Sequence, residues 1–254
     1  MPYAKTATGD LFYTVSRGPA AGPALVLVHG AGGTRLHWPA ALRRLPGATV
    51  YTLDLPGHGR SARPGRDTVE AYADAVVAFL DTAGIERAVV VGHSMGGAVA
   101  MTLALDFADR MDGLILVATG ARLRVAPAIL DGIHSDFVGT AELITRFAWA
   151  TGTPRRLTNL GQQALLETSP DVLLGDFTAC DRFDVMERLG EITAPTLVIE
   201  GSADQLTTVK YARFLAEHIS SAHLAVIDGA GHMVMLEQPA EVARAVQDFL
   251  GLRC

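Results

Sequence analysis

The chain has 254 residues, 49% of them hydrophobic and 19% charged, with a formal net charge of −6. A chain of this length can bury the core of one large domain, and its negative balance argues against nucleic acid or an anionic membrane as partner. Two cysteines, Cys180 and Cys254, are too few for a disulfide framework, and no apolar run is long enough to span a bilayer.

The opening residues Met1-Pro2-Tyr3-Ala4-Lys5 lack the apolar stretch of a signal peptide, so a cytoplasmic protein is expected. After a Gly9-Asp10 turn, residues 11–16 read as a strand. Ala24–His29 is a continuous apolar run of the kind buried on both faces of a parallel sheet, and it ends in His29-Gly30-Ala31-Gly32-Gly33. Thr49–Asp54 is a second strand and leads into Leu55-Pro56-Gly57-His58-Gly59-Arg60-Ser61. Apolar residues at helical spacing from Thr68 to Thr82 (Val69, Tyr72, Ala73, Val76, Val77, Leu80) predict a helix that stops at Gly84. A strand over 87–91, a helix to about Phe107 and a strand over Gly113–Ala118 follow.

The alternation then pauses. From 121 to 190 the patterns are short helices punctuated by Pro127, Pro154 and Pro170, each acceptable near a helix start. It resumes with a strand over Pro195–Glu200, a helix over Thr208–His218, a strand over Leu224–Ile227 and a closing helix over Pro239–Leu250. Strands alternating with helices predict an α/β fold with a doubly wound, mostly parallel sheet. Residues 1–120 and 191–254 form its expected core, and 121–190 an inserted helical cap.

Gly92-His93-Ser94-Met95-Gly96 stands between an apolar strand and a run of small residues with helical character. A serine at such a corner projects its hydroxyl from a sharp turn, while the free N–H groups and dipole of the next helix face the same point. That suits a nucleophile that must create and tolerate an oxyanion; the ordinary alternative is a helix N-cap. A nucleophilic serine also needs a base and an orienting acid. Asp204 follows strand 195–200 and His232 follows strand 224–227, so all three candidates lie at carboxyl ends of strands, the edge where open parallel sheets bind ligands. Asp228 is a rival acid, but it lies inside or at the end of its strand. The glycines at 30, 32 and 33 do not make a dinucleotide loop, and no His/Cys spacing suits a metal, so neither cofactor nor metal is expected.

In the nature and order of these motifs the chain resembles the α/β-hydrolases over essentially its whole length. The resemblance rests on His29-Gly30-Ala31-Gly32, Asp54-Leu55-Pro56-Gly57-His58-Gly59, Gly92-His93-Ser94-Met95-Gly96-Gly97, Gly201-Ser202-Ala203-Asp204 and Gly231-His232. It implies Ser94 as nucleophile, His232 as base and Asp204 as orienting acid. It also implies an oxyanion hole made by the backbone N–H groups of Met95 and Ala31, with Gly32 as an alternative to Ala31. The implied reaction is acyl transfer on a small, rather apolar carboxylic ester. Lactone hydrolysis, carbon–carbon bond hydrolysis and cofactor-free perhydrolysis use the same residues, and a small-molecule receptor or an acyltransferase is the alternative of another class.

The 121–190 insertion stands at that family's cap position. Leu143 and Phe147 share one helical face, and Ile129, Ile133 and Phe137 another. Phe137, Leu143, Phe147 and Trp149, with Gly32 and His93, are candidates for substrate contact; the alternative is packing of the cap on itself. His29, Asp54, His58 and Arg60 read as anchors of their own loops. The expected partner is a small-molecule ester, met by a monomer or a homodimer.

Overall fold

The computed structural model describes residues 3–252; Met1, Pro2 and Cys254, read above from the sequence, lie outside them. Strands β1 (Tyr3–Thr6) and β2 (Gly9–Ser16) form a hairpin whose turn uses Gly9 at φ +121°. Next come β3 (Ala24–Val28), the one-turn helix α1 (Ala40–Arg43) and β4 (Thr49–Leu53). Helix α2 (Val69–Ala83) is closed at both ends by the residues its sequence advertises. The Thr68 hydroxyl accepts from the Ala71 N–H, and Gly84 ends the helix at φ +65°, where a side chain would be strained. Strand β5 (Ala88–His93), helix α3 (Met95–Asp106) and strand β6 (Met111–Val117) follow.

Four helices then intervene: α4 (Pro127–Ser135), α5 (Phe137–Ala148), α6 (Arg155–Leu166) and α7 (Pro170–Arg182). The chain closes with β7 (Thr196–Gly201), α8 (Val209–His218), β8 (Ala222–Ile227), α9 (Val234–Glu237) and α10 (Pro239–Phe249). The sequence reading missed β1, α1 and α9, which have four residues each and are too short to show a period.

The strands lie in the order β1-β2-β4-β3-β5-β6-β7-β8, and the six from β4 to β8 are parallel. From β3 the chain moves to β4 on one side, then crosses to β5 on the other. The loops leaving β3 and β5 therefore diverge, and such a point opens a crevice at the carboxyl edge. Register pairs Val28 with Gly92, which sets the His29–Gly33 loop beside the Ser94 corner.

Helices α2, α3 and α8 cover one face of the sheet, and α1 and α10 the other. Every residue of α3 from Met95 to Ala104 is buried, so this helix has no solvent face, and its small residues let the backbone lie close to the sheet. On α2, the fully buried Phe79 meets the rings of Tyr13 and Tyr51 edge-on at 5.1 and 5.9 Å. Helices α4–α7 have a small core of their own in Ile133, Ala141, Leu165 and Leu173. The chain enters and leaves this segment side by side, with the Val185 N–H donating to the Ala121 carbonyl at 2.8 Å. Among the described residues no helix is long and apolar enough to cross a membrane.

Truncating Phe79 removes the side chain on which the two aromatic strand residues rest. Phe79→Ala is expected to destabilise the fold by about 3–5 kcal/mol, read from the midpoint of chemical denaturation at unchanged slope.

Candidate active site

Ser94 holds φ +51° and ψ −117°, a conformation that costs a non-glycine residue about 1–3 kcal/mol. It occupies the N-cap position of α3, yet its side chain makes no capping bond. Its carbonyl instead accepts from the Gly97 N–H at 2.8 Å and from the Thr119 hydroxyl at 2.8 Å, which holds the turn from both sides. The corner closes because its flanking glycines carry no Cβ. An atom there would fall 2.0 Å from the Gly96 carbonyl oxygen at Gly92, and 2.3 Å from the Val28 carbonyl oxygen at Gly96. Among the described residues, the N–H groups of Met95 and Ala31 have no hydrogen-bond partner.

Asp204 and His232 meet after β7 and β8. The Nδ1–H of His232 donates to Asp204 Oδ2 at 2.8 Å, which leaves Nε2 with the free lone pair. The other oxygen, Oδ1, accepts from the backbone N–H groups of Leu206 and Thr207 at 2.7 and 3.0 Å. Burial alone would raise the Asp204 pKa, but the charge of His232 and these hydrogen bonds hold it below the usual carboxylate range. Thr207, which the sequence reading overlooked, places its hydroxyl 2.9 Å from Asp204 Oδ2 and 3.2 Å from His232 Nδ1. Its signal was present in the Asp-x-x-Thr spacing of a side-chain-to-backbone turn. The rival Asp228 accepts instead from the Ser202 hydroxyl. Glu200, fully buried at the end of β7, is pushed up to about 10 by burial and by the charge of Asp204. It stays protonated at neutral pH, so a second negative charge does not form beside Asp204.

His93 donates from Nε2 to the His232 carbonyl at 3.0 Å and so ties the β8 loop to the end of β5. His29 anchors the loop after β3, donating from Nδ1 to the Gly30 carbonyl at 2.8 Å and accepting from the Leu55 N–H at 3.0 Å. Burial and then the neighbouring His58 lower its pKa well below the ordinary value, so it is neutral. Asp54 accepts from the Arg35 and Arg60 N–H groups and pairs with the Arg35 guanidinium at 2.9 Å.

Gly32, expected as a substrate contact or an alternative oxyanion donor, is committed elsewhere. Its N–H donates to Asp176 Oδ2 at 2.8 Å, and the residue is not part of the cavity wall. Asp176, on α7, is fully buried and also accepts from His58 Nε2 at 2.8 Å and from the Tyr72 hydroxyl at 2.5 Å. No sequence signal marks it, because its partners lie over a hundred positions away. His58 faces acceptors on both ring nitrogens, Asp176 at Nε2 and the Pro56 carbonyl at Nδ1, so both nitrogens carry protons and the ring is an imidazolium. Burial opposes that charge, but Asp176, the two hydrogen bonds and Asp54 outweigh it and raise the pKa.

Ser94, His232, Ala31 and His93 line one cavity of about 370 Å³. Its roof comes from the α4–α7 segment, where Leu143, Phe147 and Trp149 line the space. Phe137 does not: it packs with Ile133, Ala141, Leu165 and Leu173 inside the segment. Being first in α5, it lies up to three turns before the residues that face the cavity. His37, which the sequence reading did not select, also lines the cavity; burial and then His58 lower its imidazole to about 4, so it is neutral there. Among the described residues no group of His, Cys, Asp and Glu is arranged to hold a metal.

The model of the alpha/beta hydrolase family matches residues 25–245. The chain is 30% identical to a 2-hydroxy-6-oxo-6-phenylhexa-2,4-dienoate hydrolase of Comamonas testosteroni, over 91% of this chain and 89% of the relative. It is 29% identical to 3-oxoadipate enol-lactonase 1 of Acinetobacter baylyi, over 92% of this chain and 90% of the relative. Among solved structures it superposes on a thermophilic esterase with a TM-score of 0.87 at 35% identity, covering 98% of this chain and 96% of the other.

The buried His58–Asp176 pair has a pH dependence of known sign. A histidine whose pKa is raised by folding contributes stability that is complete below its unfolded value and fades as pH rises through the folded one. The groups facing His58 are Asp176, Asp54, Tyr72 and the neutral His29 and His37. His58→Gln is therefore expected to lower Tm more at about pH 6 than at about pH 9, in thermal melts of both proteins across that range.

Proposed function

The chain belongs to the alpha/beta hydrolase family, and on that premise we propose that it hydrolyses small, rather apolar carboxylic esters through an acyl-enzyme on Ser94. One observation carries this reading. A strained serine with no capping bond shares an apolar-roofed cavity with a histidine whose far nitrogen is held by a buried carboxylate.

In the proposed reaction His232 Nε2 takes the Ser94 proton as Oγ attacks the ester carbonyl carbon. The carbonyl π pair moves onto oxygen, and the N–H groups of Ala31 and Met95 receive that oxyanion. One such donor is worth about 3–4 kcal/mol in the transition state. Collapse of the tetrahedral species breaks the bond to the alkoxy oxygen, which leaves as the alcohol with the proton from His232. Water then adds to the acyl-enzyme with His232 as base, and the acid departs as Ser94 recovers its proton. Asp204 keeps the imidazole in the required tautomer and stabilises its charge, while Thr207 fixes the carboxylate. Residues 121–190 act as a cap in this reading, and Leu143, Phe147 and Trp149 select the acyl or alcohol group by fit and burial.

Three outcomes test the proposal. An organophosphonate should label Ser94 stoichiometrically, seen by mass spectrometry of the peptide, and Ser94→Ala should abolish both labelling and ester hydrolysis. Asp204→Asn should lower kcat by about 10⁴-fold, because the wrong tautomer is then favoured. Phe147→Ala should raise KM for the longest accepted acyl chain more than for acetate, read from kcat/KM across a p-nitrophenyl ester series. A mild loss in Asp204→Asn, or labelling that survives in Ser94→Ala, would contradict the assignment.

A further inference from the structure

We infer that Asp176 and Thr168, both from the helical segment above the cavity, are positioning residues that set the direction of the Ala31 N–H toward Ser94. The inference rests on the reading of Ser94 as an acyl-transfer nucleophile and adds to it the part of the molecule that builds the oxyanion hole.

Peptide geometry carries the argument. The loop after β3 contains three successive peptide planes, and each is rigid in itself. The first holds the Gly30 carbonyl and the Ala31 N–H. Its oxygen accepts from His29 Nδ1 at 2.8 Å and from the Gly33 N–H at 3.0 Å. The second holds the Ala31 carbonyl and the Gly32 N–H, which donates to Asp176 Oδ2 at 2.8 Å. The third holds the Gly32 carbonyl, which accepts from the Thr168 hydroxyl at 3.0 Å, and the Gly33 N–H. Thr168 thus aims the Gly33 N–H, the Gly33 N–H fixes the Gly30 carbonyl, and that plane aims the Ala31 N–H. Asp176 locks the plane between them.

The same segment also closes on Gly32 by contact. Gly32 has φ +62°, and a Cβ there would fall 2.5 Å from a Leu165 methyl and 2.8 Å from a Leu173 methyl. Asp176 is itself held in place, because His58 shares Oδ2 with the Gly32 N–H, Tyr72 donates to Oδ1, and no part of it is exposed. Leu165 also lines the cavity, so the surface that touches substrate is continuous with the surface that holds the loop. The segment is therefore both a roof over the cavity and one wall of the oxyanion machinery.

The test compares wild type with Asp176→Ala, Asp176→Asn and Thr168→Val. Active sites are counted by labelling to completion with an organophosphonate, so that misfolded molecules drop out of kcat. For Asp176→Ala we expect a loss of about 10²-fold in kcat per labelled site with KM little changed, the size of one lost oxyanion donor. Inhibition by an alkylboronic acid, which mimics the tetrahedral oxyanion, should weaken in the same proportion. Asp176→Asn keeps the shape of the side chain and should recover part of the loss, and Thr168→Val should show a smaller loss of the same kind. Amide hydrogen exchange over residues 30–33 should quicken in Asp176→Ala. A folded Asp176→Ala with wild-type kcat per labelled site and unchanged boronate inhibition would overturn the inference, as would a loss confined to KM. If Asp176→Ala does not fold, the other two variants carry the same readouts. If wild type neither hydrolyses esters nor labels at Ser94, the reading of Ser94 fails, and the exchange result alone then decides the role of Asp176. Unchanged exchange in every variant overturns that role.

Discussion

The backbone of Ser94 is held where an L-residue is seldom found, and most of the architecture can be traced to what keeps it there. Its φ of +51° costs about 1–3 kcal/mol, and the turn survives because both of its arms are immobile. One arm is β5, buried at every residue in the middle of the parallel sheet; the other is α3, buried around its whole circumference from Met95 to Ala104. Burial of such elements contributes far more than the strain removes. The corner's glycines allow contacts of backbone on backbone that any Cβ would prevent. The result is a serine whose hydroxyl is not used in capping and whose neighbouring amides remain free, at the point where the strand order reverses.

Around that corner, buried ionisable groups are kept in defined protonation states by different means. Asp204 is charged because two backbone amides and His232 compensate its burial. Glu200, four residues earlier and still within β7, lacks that support and is held neutral by burial and by Asp204. Asp176 is matched by an imidazolium at His58, which is forced into that state by acceptors at both nitrogens. His29 and His93 are neutral through burial, and each uses a ring N–H to hold a backbone carbonyl of a loop at the site. Five of the chain's eight histidines (His29, His37, His58, His93, His232) lie in this region, yet only His232 has a carboxylate at Nδ1 and a free Nε2 on the cavity. Buried charges left unmatched cost several kcal/mol, so these pairings are as much conditions of folding as of chemistry.

Parallel-sheet periodicity and the punctuation around it made most of the elements legible in the sequence. β3, β5, β6 and α2 lie within a residue or two of their predicted bounds, because continuous apolar runs and helical spacing are local signals. The pause in alternation after Thr119 matches the four helices between β6 and β7. The Ser94, Asp204 and His232 candidates were legible for the same reason: each follows a strand end, and in a parallel sheet all strand ends share an edge.

The sequence by itself therefore determined the order of strands and helices, the edge on which chemistry can gather, and the serine corner with its local glycines. The tertiary structure alone decided three other matters. It turned the Gly32 N–H to Asp176 and left the Ala31 N–H free, it packed Phe137 into the helical segment instead of the cavity, and it brought Thr168 and Asp176 onto the loop after β3. The physical reason is one of range. Periodicity and turn chemistry act over a few residues, whereas the direction of a single N–H depends on hydrogen-bond partners 136 and 144 positions away, where sequence carries no mark of who will meet whom.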